Sequence, residues 1–123
     1  MQIEHIGVYA KDTTALASWY ANALQLREIR RIERGDGRMP VLFLQGEDGA
    51  VVEFLPTDET ADRKELKSPG FTHLGIVVDD LKEEATRLKS LGVEVRDIRE
   101  TSNGWTIGYF NDPEDNILEL VQR

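Results

Sequence analysis

Apolar residues along the chain follow two rhythms in turn, and the whole sequence of rhythms occurs twice. An apolar, strand-like stretch covers residues 2–10. Leu16, Trp19, Tyr20, Ala23 and Leu24 then recur at the spacing of one helix face, which predicts a packed helix that Asp12 or Thr13 can cap. Three strand-like stretches follow over residues 25–32, 40–45 and 50–55. The second round opens with a strand at 71–78. Leu81, Ala85, Leu88 and Leu91 line a second helix, with Asp79 or Asp80 at its start and Gly92 as its stop. Strands are expected again at 94–100, 106–110 and 116–121. Gly46-Glu47-Asp48-Gly49 and Asp112-Pro113-Glu114-Asp115 are turn signals before the last strand of each round.

The repetition extends to residue identity. Ile3-Glu4-His5-Ile6-Gly7-Val8 lies over Phe71-Thr72-His73-Leu74-Gly75-Ile76, and Val51-Val52-Glu53-Phe54-Leu55 lies over Ile117-Leu118-Glu119-Leu120-Val121. Between them Arg27-Glu28-Ile29-Arg30 echoes Arg96-Asp97-Ile98-Arg99. Order and spacing are kept throughout, which marks an internal duplication. The expectation is an α+β domain of two paired βαβββ modules, about 1–56 and 70–123, joined by a polar linker at 57–69. Each module alone is too small to bury its sheet.

Composition narrows the function. The chain has 123 residues, the size of one domain, and a formal charge of −8 from 23 acidic and 15 basic residues. Nucleic acid and acidic membrane surfaces are excluded as partners, because both require a basic face. No apolar run is long enough to span a bilayer, and no signal segment is read at the N-terminus, so a cytoplasmic location is expected. The absence of cysteine removes thiolate chemistry and disulfides.

The candidate chemistry lies in the repeat. The chain has only two histidines, His5 and His73, and they occupy equivalent positions. Glu53 and Glu119 are likewise equivalent, each inside a strongly apolar strand where a carboxylate is costly unless it is paired or binds a metal. Two neutral imidazoles and two carboxylates balance one divalent cation and leave two octahedral positions for water or substrate oxygens. Other features are weaker. Arg34-Gly35-Asp36 reads as a charged turn, Arg38 and Lys67 as loop cations. Phe43, Trp105 and Tyr109 could line a pocket or form sheet core.

These motifs resemble the vicinal oxygen chelate superfamily, which includes glyoxalases, bleomycin resistance proteins and dioxygenases. His-Ile-Gly-Val at 5–8, His-Leu-Gly-Ile at 73–76 and the apolar-flanked glutamates carry the likeness across nearly the whole chain. Asn111 to Leu120 resembles the superfamily's closing motif, with Asp115 where Gly is usual. The resemblance implies that the modules' curled sheets form a cleft around one metal ion (Ni, Co, Zn, Fe or Mn) held by His5, Glu53, His73 and Glu119. The His, Glu, His, Glu set is similar to that of glyoxalase I, or lactoylglutathione lyase. It implies a lyase or isomerase that abstracts a proton next to a carbonyl, with Glu53 or Glu119 as base. A small-molecule substrate and a homodimer follow from the same likeness. Tyr9 and Thr57 stand where bacterial glyoxalase I commonly has Arg and Asn. Methylmalonyl-CoA epimerase has Gln where Glu53 stands. An epimerase-like isomerase, a metal-dependent dioxygenase or thiol transferase, and a drug-binding module remain as alternatives.

Overall fold

Asp12, and not Thr13, starts the first helix. Its Oδ1 accepts the Ala15 N–H at 2.8 Å, and α1 runs Thr13–Ala23. Thr13 is fully buried, and its hydroxyl donates to the Pro40 carbonyl at 2.7 Å. In the second half Asp80, and not Asp79, caps α2 (Leu81–Ser90) by accepting the Glu83 N–H at 2.9 Å. Gly92 closes α2 with φ +82°, its N–H on Lys89 O and the Val93 N–H on Leu88 O, both 3.0 Å. That left-handed turn satisfies two end carbonyls and suits glycine. Leu91 is the C-cap residue and turns outward, so it leaves the expected apolar stripe.

The protein is described here by a computed structural model covering residues 1–62, 66–67 and 69–123. Part of the expected linker, residues 63–65 and 68, therefore lies outside the described residues. The chain divides into two compact units, Met1–Ala61 and Asp62–Arg123. The fold is α+β, and each unit is a βαβββ module.

In the first module β1 (His5–Ala10), β2 (Arg27–Ile32), β3 (Val41–Gln45) and β4 (Val51–Pro56) form a sheet of order β1-β4-β3-β2. β1 and β4 are parallel and the other neighbours antiparallel. In the second, β5 (Leu74–Val77), β6 (Arg96–Glu100), β7 (Thr106–Asn111) and β8 (Ile117–Gln122) repeat this as β5-β8-β7-β6. The first strand of each module is shorter than its apolar run. β1 begins at His5 because its partner begins at Val51, and β5 begins at Leu74, one residue after His73.

One face of each sheet packs on its helix. Leu42, Leu44, Val52 and Phe54 are buried on the side of α1, where Tyr20 meets Phe54 edge to face at 4.9 Å. Phe110, Leu118 and Leu120 are buried with Leu81 and Leu88 of α2. Strand alternation sends Phe43, Glu53, Tyr109 and Glu119 to the faces away from the helices.

Both modules carry a bulge in the strand after the helix. The β2–β3 register shifts between Glu28 and Arg30, and the β6–β7 register between Arg96 and Arg99, with Asp97 at φ +54°. An extra residue re-aims the side chains beyond it. Arg30 thereby lies over the Phe43 ring at 5.6 Å and Arg99 over the Tyr109 ring at 5.9 Å.

Candidate metal-binding pairs

Each module brings its histidine to its glutamate. His5 Nε2 lies 3.3 Å from Glu53 Oε2, and His73 Nε2 lies 3.3 Å from Glu119 Oε2. Parallel pairing is what makes them meet. Glu53 is in register with Gly7 and Glu119 with Gly75, so each histidine reaches diagonally across to the carboxylate. A Cβ on Gly7 would come 3.8 Å from Glu53 Oε2 and 3.3 Å from Leu55 Cδ1, and one on Gly75 would come 3.8 Å from Glu119 Oε2. At 3.8 Å a methyl would make ordinary van der Waals contact with either carboxylate, and only the Leu55 contact at Gly7 is tight.

The residue before each histidine occupies its other ring nitrogen. Glu4 contacts His5 Nδ1, and Thr72 Oγ1 lies 2.7 Å from His73 Nδ1. Such partners orient an imidazole so that Nε2 presents to a ligand. The Glu4 hydrogen bond raises the His5 pKa above the usual imidazole value; desolvation opposes it, and the charges of Glu4 and Glu53 reinforce it.

The modules differ in the aromatic beside the glutamate. Tyr109 is the cross-strand partner of Glu119, and Phe43 is that of Glu53. Tyr109 also meets His73 edge to face at 5.6 Å. Burial first, then a hydrogen bond to Glu119 and that carboxylate's charge, raise the Tyr109 pKa above the usual phenol range. A neutral Tyr109 hydroxyl is therefore a donor to Glu119, while Phe43 offers Glu53 none.

The donor chemistry fits a divalent cation. Neutral imidazole and carboxylate are typical ligands at roughly 2.0–2.2 Å. An N–O separation of 3.3 Å is a few tenths of an ångström longer than the edge of about 3 Å between neighbouring octahedral ligands at such distances. Within each module the donors come as a pair, and among the described residues no three His, Asp or Glu side chains are gathered into a metal-binding cluster.

Other sequence candidates fall outside these pairs. Arg38 is turned back on the Arg34 and Gly35 carbonyls, and Gly35, Asp36 and Gly37 all have positive φ, so that segment is a tight turn. Lys67 is exposed. Among the described residues no helix is long and apolar enough to cross a membrane.

A fold of two βαβββ modules, each with a His–Glu pair on the face away from its helix, defines a recognisable class. The chain matches the Glyoxalase/Bleomycin resistance protein/Dioxygenase superfamily over residues 2–120, and it belongs to that family. It is 26% identical over 125 residues to the uncharacterised protein YwbC of Bacillus subtilis (strain 168), covering 99% of this chain and 98% of that one. Among solved structures it resembles a glyoxalase family protein from Enterococcus faecalis, with TM-score 0.82 and 24% identity over 98% and 97% of the two chains. It also resembles a lactoylglutathione lyase from Agrobacterium tumefaciens, with TM-score 0.70 and 20% identity over 98% and 92% of the chains. At these identities the two structures establish a shared fold.

Proposed function

We propose that His5, Glu53, His73 and Glu119 together hold one divalent cation, and that the protein is a lyase or isomerase of the glyoxalase type. The observation that carries this reading is the mirrored pair, with the same atoms at the same 3.3 Å in both modules. A cation bound there would supply Lewis acidity toward two neighbouring substrate oxygens. The chain's own residues do the rest. Glu53 or Glu119 removes a proton from the carbon next to the carbonyl, and the other keeps the site neutral or returns the proton on the opposite face. Tyr109 orients Glu119 through its hydroxyl. A hemithioacetal of glutathione, as for lactoylglutathione lyase, is one substrate class to test. Acyl-CoA epimers are another, since Tyr9 and Thr57 depart from the commonest glutathione-binding residues.

The test is metal stoichiometry and turnover on the same variants. The parent should bind one equivalent of divalent metal per chain. His5→Ala or His73→Ala should each lower affinity for that whole equivalent, with partial rescue by added metal. Retention of half the metal in either variant would mean two independent sites and would refute the shared one. Glu119→Gln should keep its fold and lose about a hundredfold or more in turnover, if Glu119 is the base. Glu53→Gln is the matching control. If neither substitution slows turnover, the proton-transfer mechanism is wrong.

A further inference from the structure

The face of the second module that presents Glu119 also carries a cavity of about 550 Å³. Its floor is apolar, from Ile107 and Val121, and Gly75 leaves it open beside Glu119. Its other end is built differently. Trp105 and Arg123 both line it, and the Arg123 guanidinium carbon sits 4.6 Å from the indole centroid. Among the described residues Arg123 forms no salt bridge.

This end is held in place. Thr101 N–H donates to Trp105 O at 2.7 Å, and Trp105 N–H donates to Thr101 Oγ1 at 3.2 Å. Gly104 takes the positive φ (+83°) that the tight turn requires. The indole therefore stands on a fixed turn, and the guanidinium rests over its face before any ligand arrives. The fold itself does not demand this pair. The offset that relates Glu53 to Glu119 relates Met39 to Trp105 and Thr57 to Arg123. The first module builds the same sheet with neither an aromatic nor a cation at those positions.

We propose that Trp105 and Arg123 form an anion subsite for the far end of the substrate. Arginine's fork of N–H groups suits carboxylate or phosphate oxygens, and the indole offers a flat apolar surface to the atoms next to them. The Glu119 end is the one assigned to the substrate's vicinal oxygens, so an anion held at Arg123 sets the ligand in one orientation. Glu119 and Arg123 are four residues apart along an extended segment, about 13 Å between Cα atoms. The substrate class is thus an elongated molecule, with vicinal oxygens at one end and a carboxylate or phosphate at the other. Assigning the subsite to the substrate rests on the metal reading above; the anion site itself does not.

The experiment uses the full chain with its two tryptophans labelled for NMR, so that Trp19 on α1 is an internal control for Trp105. Benzoate, phenyl phosphate and neutral benzamide are titrated with metal present and after chelation. Benzoate or phenyl phosphate should move the Trp105 indole N–H signal and leave Trp19 still, in both metal states. Whichever of the two binds more tightly identifies the anion. Arg123→Gln should weaken that binding by about tenfold or more, and Arg123→Lys by less. Arg123 is exposed, so unfolding of the variants should match the parent. Equal binding of benzamide, unchanged binding by Arg123→Gln, or no response at Trp105 would each overturn the subsite. Those results would leave the metal stoichiometry untouched, and a failed metal test would leave anion binding in place, so the two failures are distinguishable.

Discussion

Replacing Asp112 by alanine removes three hydrogen bonds from the turn that launches β8, the strand that carries Glu119. Asp112 is only 4% exposed. Its Oδ1 accepts the N–H groups of Glu114 and Asn116, each at 2.9 Å, and its Oδ2 accepts Asn116 Nδ2 at 2.7 Å. Hydrogen bonds to a charged acceptor are worth roughly 1.5–3 kcal/mol each. The donors belong to half-buried residues, so water replaces part of the loss, and three bonds on one carboxylate are not additive. A net cost of about 3 kcal/mol follows. For a domain of this size that lowers Tm by about 12 °C. Asp112→Asn keeps the Oδ1 contacts but turns an amide donor toward the Asn116 amide, and should fall between parent and alanine. Urea and thermal unfolding of the three proteins, followed by circular dichroism, measure the effect. A Tm within about 4 °C of the parent for Asp112→Ala would mean that these bonds do not organise the turn, and the reasoning fails.

Gly108→Ala should destabilise the second module by about 2 kcal/mol, because the new Cβ would stand 2.6 Å from Val95 Cγ1 and 3.1 Å from Ile98 Cγ1. A second change, Val95→Ala, should recover part of that loss in the same unfolding assay, and no recovery would point to another cause. His5 gains its raised pKa chiefly from Glu4, so an NMR pH titration should show the imidazole of Glu4→Gln losing its proton at lower pH than the parent's. The sign follows from linkage. The charged imidazole is stabilised in the fold at low pH, and that contribution disappears as pH rises through the elevated value. We also propose a homodimer, supported by the exposed Ile3, Ile6 and Tyr9 in one module and Phe71 and Val77 in the other. Sedimentation should show it at micromolar concentration, and monomer alone would count against it.

The duplication, the α+β class, the order of elements and the four candidate ligands were all legible in the amino-acid sequence. Those features are written locally: period-2 and period-3.6 apolar patterns, capping residues before each helix, and two histidines in a chain that has no others. Even the unusual Asp115 was readable as a turn residue, and its φ of +68° is the left-handed geometry for which glycine is more common. Pairing was the part that only tertiary structure could decide. Parallel register, a contact between segments about 45 residues apart in the chain, sets Gly7 beside Glu53 and Gly75 beside Glu119. Antiparallel register chose Phe43 for one carboxylate and Tyr109 for the other, and the bulges aimed Arg30 and Arg99 at those rings. A one-residue slip would send every such side chain to the opposite face, so no local pattern could specify these partners. The same reason left Trp105 ambiguous between core and pocket until the strand ends brought Arg123 over it.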